Sequence, residues 1–304
     1  MARLLVHNPA AGCFDAPMAI RMAGMNPKSE ELLRIRRIPE FAEGTLVLAF
    51  TGWMDGGDVS TGTVERLARL VDAHPVAEID PDPFYIFNFP GSMEIAAMFR
   101  PSVEIRDGLV SSFEMPSNIF YAHDPGQLLL FVGSEPNLRW RTFGDCIFQM
   151  AHQTGIRRIL FVGSFGGTVP HTREPRLYVC CSDEGRLAEM EQYRMRRSEY
   201  EGPGSFTTYL MAQAESQGLE MISLVAEIPA YLQGTNPTCI EAVTRRLSKI
   251  LRLPLDLDSL RNASTEWELQ VSSAIEENPE LAVRVHELEE QYDNDLLQQE
   301  TEGP

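Results

Sequence analysis

Cysteine is scarce in this chain, and long apolar runs are missing. Five cysteines stand among 304 residues, Cys13, Cys146, Cys180, Cys181 and Cys239, and none forms a CxxC pair. That excludes a zinc ribbon or a CxxC redox centre. The adjacent Cys180 and Cys181 point to opposite faces of a strand and do not pair with each other. Reduced thiols in a cytoplasmic protein are the expectation. No apolar stretch reaches the roughly 18 residues that a membrane span needs, and residues 1–25 lack the continuous apolar core of a signal peptide. Positive charge is also in short supply: 26 Lys and Arg stand against 44 Asp and Glu, a net charge of −18. Such a chain repels phosphate backbones, which argues against nucleic acid as a partner. Neither GxGxxG nor GxxxxGK[ST] occurs, and no carboxylates stand at metal-ligand spacing, so no cofactor or metal is expected.

What is present is a repeated unit of buried strand, glycine-rich turn and helix. Leu46 to Phe50 is a short apolar run that stops at Gly52-Trp53. Asp55-Gly56-Gly57-Asp58 then leads into a helical run, Ser60 to Val71. Leu128 to Val132 empties into residues 133–137 before a helix over Trp140 to Thr154, and Ile159 to Val162 empties into Gly163 to Gly167. Met221 to Ala226 runs into Glu227 to Tyr231 before a helix over Thr238 to Leu251. A further helix is expected over Phe206 to Gln217. This alternation predicts an α/β fold, a three-layer α/β/α sandwich with a mostly parallel or mixed sheet. Further strands are expected at Phe84 to Phe89 and Leu177 to Cys181. A hairpin or edge strands are expected between Val103 and Tyr121, broken by Asp107-Gly108.

The ends of the chain read differently. Residues 1–33 are expected as a disordered leader, with Met18, Met22 and Met25 as alternative starts, and Glu30 to Arg37 as a charged amphipathic piece. An α/β domain follows over 34–255, then an acidic helical extension over 256–304. From Asp256 onward fourteen Asp and Glu face two Arg, so this part carries −12 of the −18. Two amphipathic helices are expected there, divided at Asn278-Pro279. The second carries an apolar stripe of Leu281, Val285, Leu288, Tyr292 and Leu296.

In an open α/β sheet the carboxyl ends of the strands carry the pocket, and four turns should gather there. They nominate Gly52, Trp53, Asp55, Gly56, Gly57, Gly133, Ser134, Glu135, Gly163, Ser164, Gly166, Gly167, Glu227 and Tyr231 as ligand-binding residues. Backbone N–H groups of such turns can hold an anion, while the plainer reading is that the glycines permit tight strand-to-helix turns. Asp55, His171 and Arg173 are the candidates for acid–base work or for clamping an anion. A loop held by local hydrogen bonds explains the same residues, and Ser164 lacks the flanking pattern of a nucleophile elbow.

Four motifs in order carry a resemblance. Phe50-Thr51-Gly52-Trp53-Met54-Asp55-Gly56-Gly57 resembles the GW-D-GG turn of the proteasome assembly chaperone 2 family. Gly163-Ser164-Phe165-Gly166-Gly167 with Pro170-His171-Thr172-Arg173 is also similar to that family. So are Gly202-Pro203-Gly204 before a helix, and Glu227-Ile228-Pro229-Ala230-Tyr231 closed by Pro237. The likeness spans about residues 34–260 and includes the long form with a helical C-terminal extension. It implies a fold similar to purine nucleoside phosphorylases and a homo-oligomer, often a trimer. It also implies protein partners, since eukaryotic relatives act as chaperones for proteasome α-subunits. The alternative is an enzyme of phosphorylase or hydrolase type acting on a small, nucleoside-like ligand at the carboxyl edge.

Overall fold

The computed structural model describes residues 31–302, with side chains over 31–298. The leader expected over residues 1–30 lies outside the described residues. Leu33, assigned to that leader, instead opens the first strand.

The strands are β1 (Leu33–Ile35), β2 (Gly44–Thr51), β3 (His74–Ile79), β4 (Ser102–Arg106), β5 (Leu109–Glu114) and β6 (Ile119–His123). They continue with β7 (Leu128–Ser134), β8 (Ile156–Gly167), β9 (Leu177–Cys181), β10 (Arg196–Arg197) and β11 (Glu220–Pro229). Nine of them form one sheet in the order β1-β3-β6-β7-β2-β8-β11-β9-β10; β4 and β5 form a separate hairpin. The middle is parallel, β7 with β2, β2 with β8 and β8 with β11. On the flanks β1/β3, β3/β6, β6/β7 and β11/β9 are antiparallel, and the short β10 is parallel to β9. The sheet is therefore mixed around a parallel centre.

The parallel centre explains the continuous apolar runs, because both faces of these strands are covered. On β2, Leu46, Leu48 and Phe50 look into one core and Val47 and Ala49 into the other. The first core is closed by α3 (Trp140–Gln153) and α5 (Phe206–Ala214). In it Phe50 lies 5.5 Å from Phe206 and 5.3 Å from Phe131, centroid to centroid. The second core is closed by α1 (Val59–Leu70) and α6 (Pro237–Ile250), through Val64, Leu67, Val243 and Leu247. Two shorter helices, α2 (Met93–Ala97) and α4 (Glu184–Glu191), and two long ones, α7 (Asp258–Glu276) and α8 (Pro279–Glu302), complete the described helices. No described helix is long and apolar enough to cross a membrane.

The aromatic strand expected at Phe84 to Phe89 does not form. Phe84 is fully buried and packs 4.8 Å from Phe143, while its carbonyl accepts from the N–H groups of both Asn137 and Leu138. Tyr85 donates to the Ser134 carbonyl at 2.8 Å, and Ile86 N–H donates to Asn137 Oδ1 at 3.1 Å. Aromatic residues with β propensity are used here as a plug, because side-chain burial outweighs a backbone preference. The helix α4 was not anticipated; its cap is Asp183, which accepts from Arg186 N–H.

Candidate functional site

Parallel strands deliver their carboxyl ends to one edge. The turns after β7, β2, β8 and β11, which are neighbours in the sheet, therefore lie side by side along one rim. Gly167 is in register with Pro229 and Gly163 with Val225, while Asp55 bridges to Ser164. Every candidate from the four expected turns sits on this rim, but Gly133 and Ser134 end β7, Gly163 to Gly167 end β8 and Glu227 lies in β11, so these residues are strand ends rather than turns. Two aromatic side chains project from it, Trp53 at 55% and Phe165 at 40% exposure.

The turn after β2 is tightly tied. Ser164 donates its N–H to the Met54 carbonyl at 2.8 Å and its hydroxyl to the Gly56 carbonyl at 2.7 Å. Asp55 turns inward and accepts from Thr61 N–H at 3.0 Å and Thr61 Oγ1 at 2.8 Å, as a helix-start cap does. Burial pushes the Asp55 carboxyl up to about 6, against the lowering effect of the Thr61 hydrogen bonds. Gly52 has φ +131°, and a Cβ there would lie 3.1 Å from Glu135, so the position calls for glycine. Glu135 itself accepts from Trp53 N–H at 3.3 Å and from Phe206 N–H at 2.9 Å, tying this turn to the start of α5. At the end of β7, Ser134 accepts from Thr51 Oγ1 at 3.0 Å, and a Cβ at Gly133 would stand 2.7 Å from Asn118 Oδ1. The spare turns are thus filled with their own bonds.

Glu227 is the most buried carboxylate of the rim, at 4% exposure. One oxygen accepts from Thr168 N–H at 2.7 Å and Val169 N–H at 3.1 Å; the other accepts from Tyr178 at 3.3 Å and stands 3.5 Å from the Arg176 guanidinium. A Cβ at Gly167 would come 2.3 Å from this carboxylate, so the glycine makes room for it. Gly166 and Gly57 close against Ala230 and Asn236 respectively, and Gly56 against Ile228.

His171 and Arg173 are drawn to the C-terminal helices rather than to open solvent. Tyr231 Oη accepts the His171 N–H at 2.9 Å, which leaves its own proton for His171 Nδ1 at 2.8 Å. Nε2–H then donates to Ser272 of α7 at 3.0 Å. Both ring nitrogens are satisfied with the imidazole neutral. Burial accordingly lowers its pKa, the negative charge of Glu289 opposing, and burial pushes Tyr231 up to about 12. Arg173 grips Asp293 of α8 through Nε at 2.9 Å and Nη2 at 2.8 Å, and that bidentate pair raises its pKa further. Thr172 donates to Glu289, and Tyr292 donates to the Glu174 carbonyl at 2.9 Å. Arg176 meets Asp295 at 2.8 Å and lies 4.5 Å over the Tyr292 ring. A narrow cleft lined by Val169, Pro170, Pro229, Cys239 and Trp267 lies beneath the hairpin.

Arg176, Tyr178, Ser272, Glu289, Tyr292, Asp293 and Asp295 thus belong to the region and escaped sequence reading. Their partners lie far away in the chain, 49 residues for Tyr178 and Glu227 and 119 for Arg176 and Asp295, and no local spacing signals them. Among the described residues no group of three or more His, Cys, Asp or Glu side chains converges as a metal site would.

Fold and rim together define a class: a three-layer α/β/α protein whose strand ends carry internally bonded turns, with a helical hairpin packed over one end of the rim. Within it, the chain belongs to the PAC2 family, whose model matches residues 49–275. A proteasome-assembly chaperone homologue from Mycobacterium tuberculosis is similar at 27% identity and TM-score 0.67, over 79% of this chain and 99% of that one. A PAC2 family protein from Streptomyces avermitilis shares 25% identity at TM-score 0.66, over 80% of this chain and 100% of that one. An M. tuberculosis protein of unknown function shares the fold at TM-score 0.79 and 23% identity, over 93% and 95% of the two chains. Comparison with curated proteins returns no match.

Proposed function

We propose that the protein is an assembly factor that binds other proteins through its carboxyl rim, self-associates, and works in the cytoplasm. One observation carries this reading. The polar groups of the rim are committed to internal hydrogen bonds, whereas Trp53 and Phe165 stand out into solvent. Exposed aromatics beside polar groups that are bonded inward are what a protein-binding surface uses as anchors. The similarity to a proteasome-assembly chaperone homologue points to proteasome subunits as the partner class. The free thiols of Cys180, Cys181 and Cys239 suit a reducing compartment.

The test is native mass spectrometry of the purified chain with unassembled proteasome subunits. A complex that the Trp53→Ala, Phe165→Ala double variant loses is the expected result. A thermal-shift panel of nucleosides and phosphate serves as the control for the enzyme alternative. A ligand at a hundredfold excess over its dissociation constant stabilises by about 2.7 kcal/mol. A clear shift with such a ligand, together with no complex, would overturn the assembly reading.

A further inference from the structure

The charged groups of the loop over residues 168–176 are two guanidiniums and one carboxylate, and the carboxylate is turned away. Glu174 pairs with Arg245 of α6 at 2.8 Å, which leaves Arg173 and Arg176 to face α8. There the two arginines hold a set pattern of side chains. The Tyr292 ring lies 4.5 Å from the Arg176 guanidinium. Glu289, three residues before it, accepts from Thr172 and stands 3.7 Å from Arg173 Nη1. Asp293, one residue after it, takes Arg173 through both oxygens, and Asp295, three after it, takes Arg176 Nη2 at 2.8 Å. Glu289 stands three and four residues from Tyr292 and Asp293, so these three share one helix face.

Receptor and occupant are separable on two grounds. The family model ends at residue 275, so the loop lies inside the matched part of the chain and α8 outside it. The fit is also incomplete. The Arg176 side chain is 7% exposed, yet its buried Nε has no hydrogen-bond partner among the described residues. A guanidinium meets a carboxylate best through two parallel N–H bonds. Asp295 takes the Nη2 end alone, so a carboxylate set side-on to Nε and Nη2 fits this site better than the chain's own. The helix is held lightly for its length. Of its described side chains only Val285 and Tyr292 are buried, and Arg173 and Asp293 are 32% and 50% exposed.

We propose that residues 172–176 are a docking site for an acidic helix of a partner protein, and that α8 occupies the site while no partner is bound. The partner helix presents a tyrosine with carboxylates three residues before it and one and three after. This goes beyond the rim reading: the site uses neither Trp53 nor Phe165 and stands or falls separately. A second copy is the poorer occupant. Its α8 brings the same four side chains, leaves Nε unmet in the same way, and competes with a tethered helix whose effective concentration is on the order of millimolar. A partner whose carboxylate reaches Nε gains a bond that α8 does not make.

The probe is a fluorescein-labelled peptide of residues 282–298, titrated by anisotropy into the full-length protein. Three forms are compared: wild type, the Asp293→Asn, Asp295→Asn variant with its weakened resident helix, and that variant with Arg173→Ala added. Melting curves check that all three fold. The proposal expects the peptide to bind the Asp293→Asn, Asp295→Asn variant at least about 10-fold more tightly than wild type, because the open fraction rises. It expects Arg173→Ala to remove that gain. No binding to the variant, equal affinity for variant and wild type, or binding that Arg173→Ala leaves unchanged each overturns it. Amide exchange over residues 279–298 should quicken when the peptide is added to wild type; a peptide that binds without moving α8 sits elsewhere and overturns the proposal. Full-length wild type that displaces the labelled peptide as well as unlabelled peptide does would make a second copy the occupant and overturn the partner assignment.

Discussion

At the scale of single residues, the rim sorts charged groups by burial, and their expected effects differ accordingly. Arg173 and Asp293 make the better geometry, but their side chains are 32% and 50% exposed; Arg176 and Glu227 are at 7% and 5%. Arg173→Ala should therefore cost no more than about 1 kcal/mol. Glu227→Ala, which leaves Arg176 with Asp295 alone and strands two backbone N–H groups, should cost about 2–4 kcal/mol. Urea unfolding of the two variants checks the contrast, and equal losses would show that the buried network is not holding the loop. Protonation gives a second test, with opposite signs at two sites. Asp55 holds its proton up to about 6, above its ordinary 3.8, so its contribution to stability is present below pH 3.8 and lost as pH rises through 6. Asn mimics the protonated form, so Asp55→Asn should gain on wild type by about 1–2 kcal/mol between pH 4 and 7. His171 is the reverse case. Its folded pKa lies below the ordinary 6.5, so the unfolded chain takes up the proton first and stability falls as pH drops below that value. His171→Asn, which keeps an acceptor for Tyr231, should flatten that part of the pH profile.

Elements show how the C-terminal helices serve the sheet. The stripe on α8 docks through Val285 and Tyr292, both buried, whereas Leu296 at its end stays 41% exposed. Tyr292 combines burial, the stacked Arg176 and a hydrogen bond to the Glu174 carbonyl, so it is the anchor of the hairpin. Tyr292→Ala should lower stability by about 2–4 kcal/mol and speed amide exchange over residues 168–176. Exchange that is unchanged in that loop would mean the hairpin does not brace it. The loop after β8 accordingly reads as a mount: His171, Thr172, Arg173 and Arg176 each send a side chain to α7 or α8.

For the whole molecule, the uneven charge matters most. Of the −18, the part from Asp256 onward holds −12, and much of it lies on helices folded back against the rest of an acidic chain. Arg173 and Arg176 answer some of it through Asp293 and Asp295. The remainder should repel. Raising ionic strength from about 0.01 to 0.15 M shortens the screening length from about 30 to 8 Å. The melting temperature should rise over that range, and a fall would show that the arginine pairs outweigh the repulsion.

The amino-acid sequence by itself determined the buried strands, the glycine-rich turns behind them and the helices that follow. Each rests on local periodicity and on backbone freedoms that only certain residues possess, and Leu46 to Phe50 with Gly52 is the clearest case. Tertiary structure alone decided where Phe84 to Phe89 went, because burial of Phe84 against Phe143 competes with strand pairing and wins without a local signal. It alone decided that His171 is claimed by Ser272. Those choices depend on partners brought together by chain closure, 101 residues apart for His171 and Ser272. A side chain that looks free in sequence has its chemistry set by whichever distant group reaches it first.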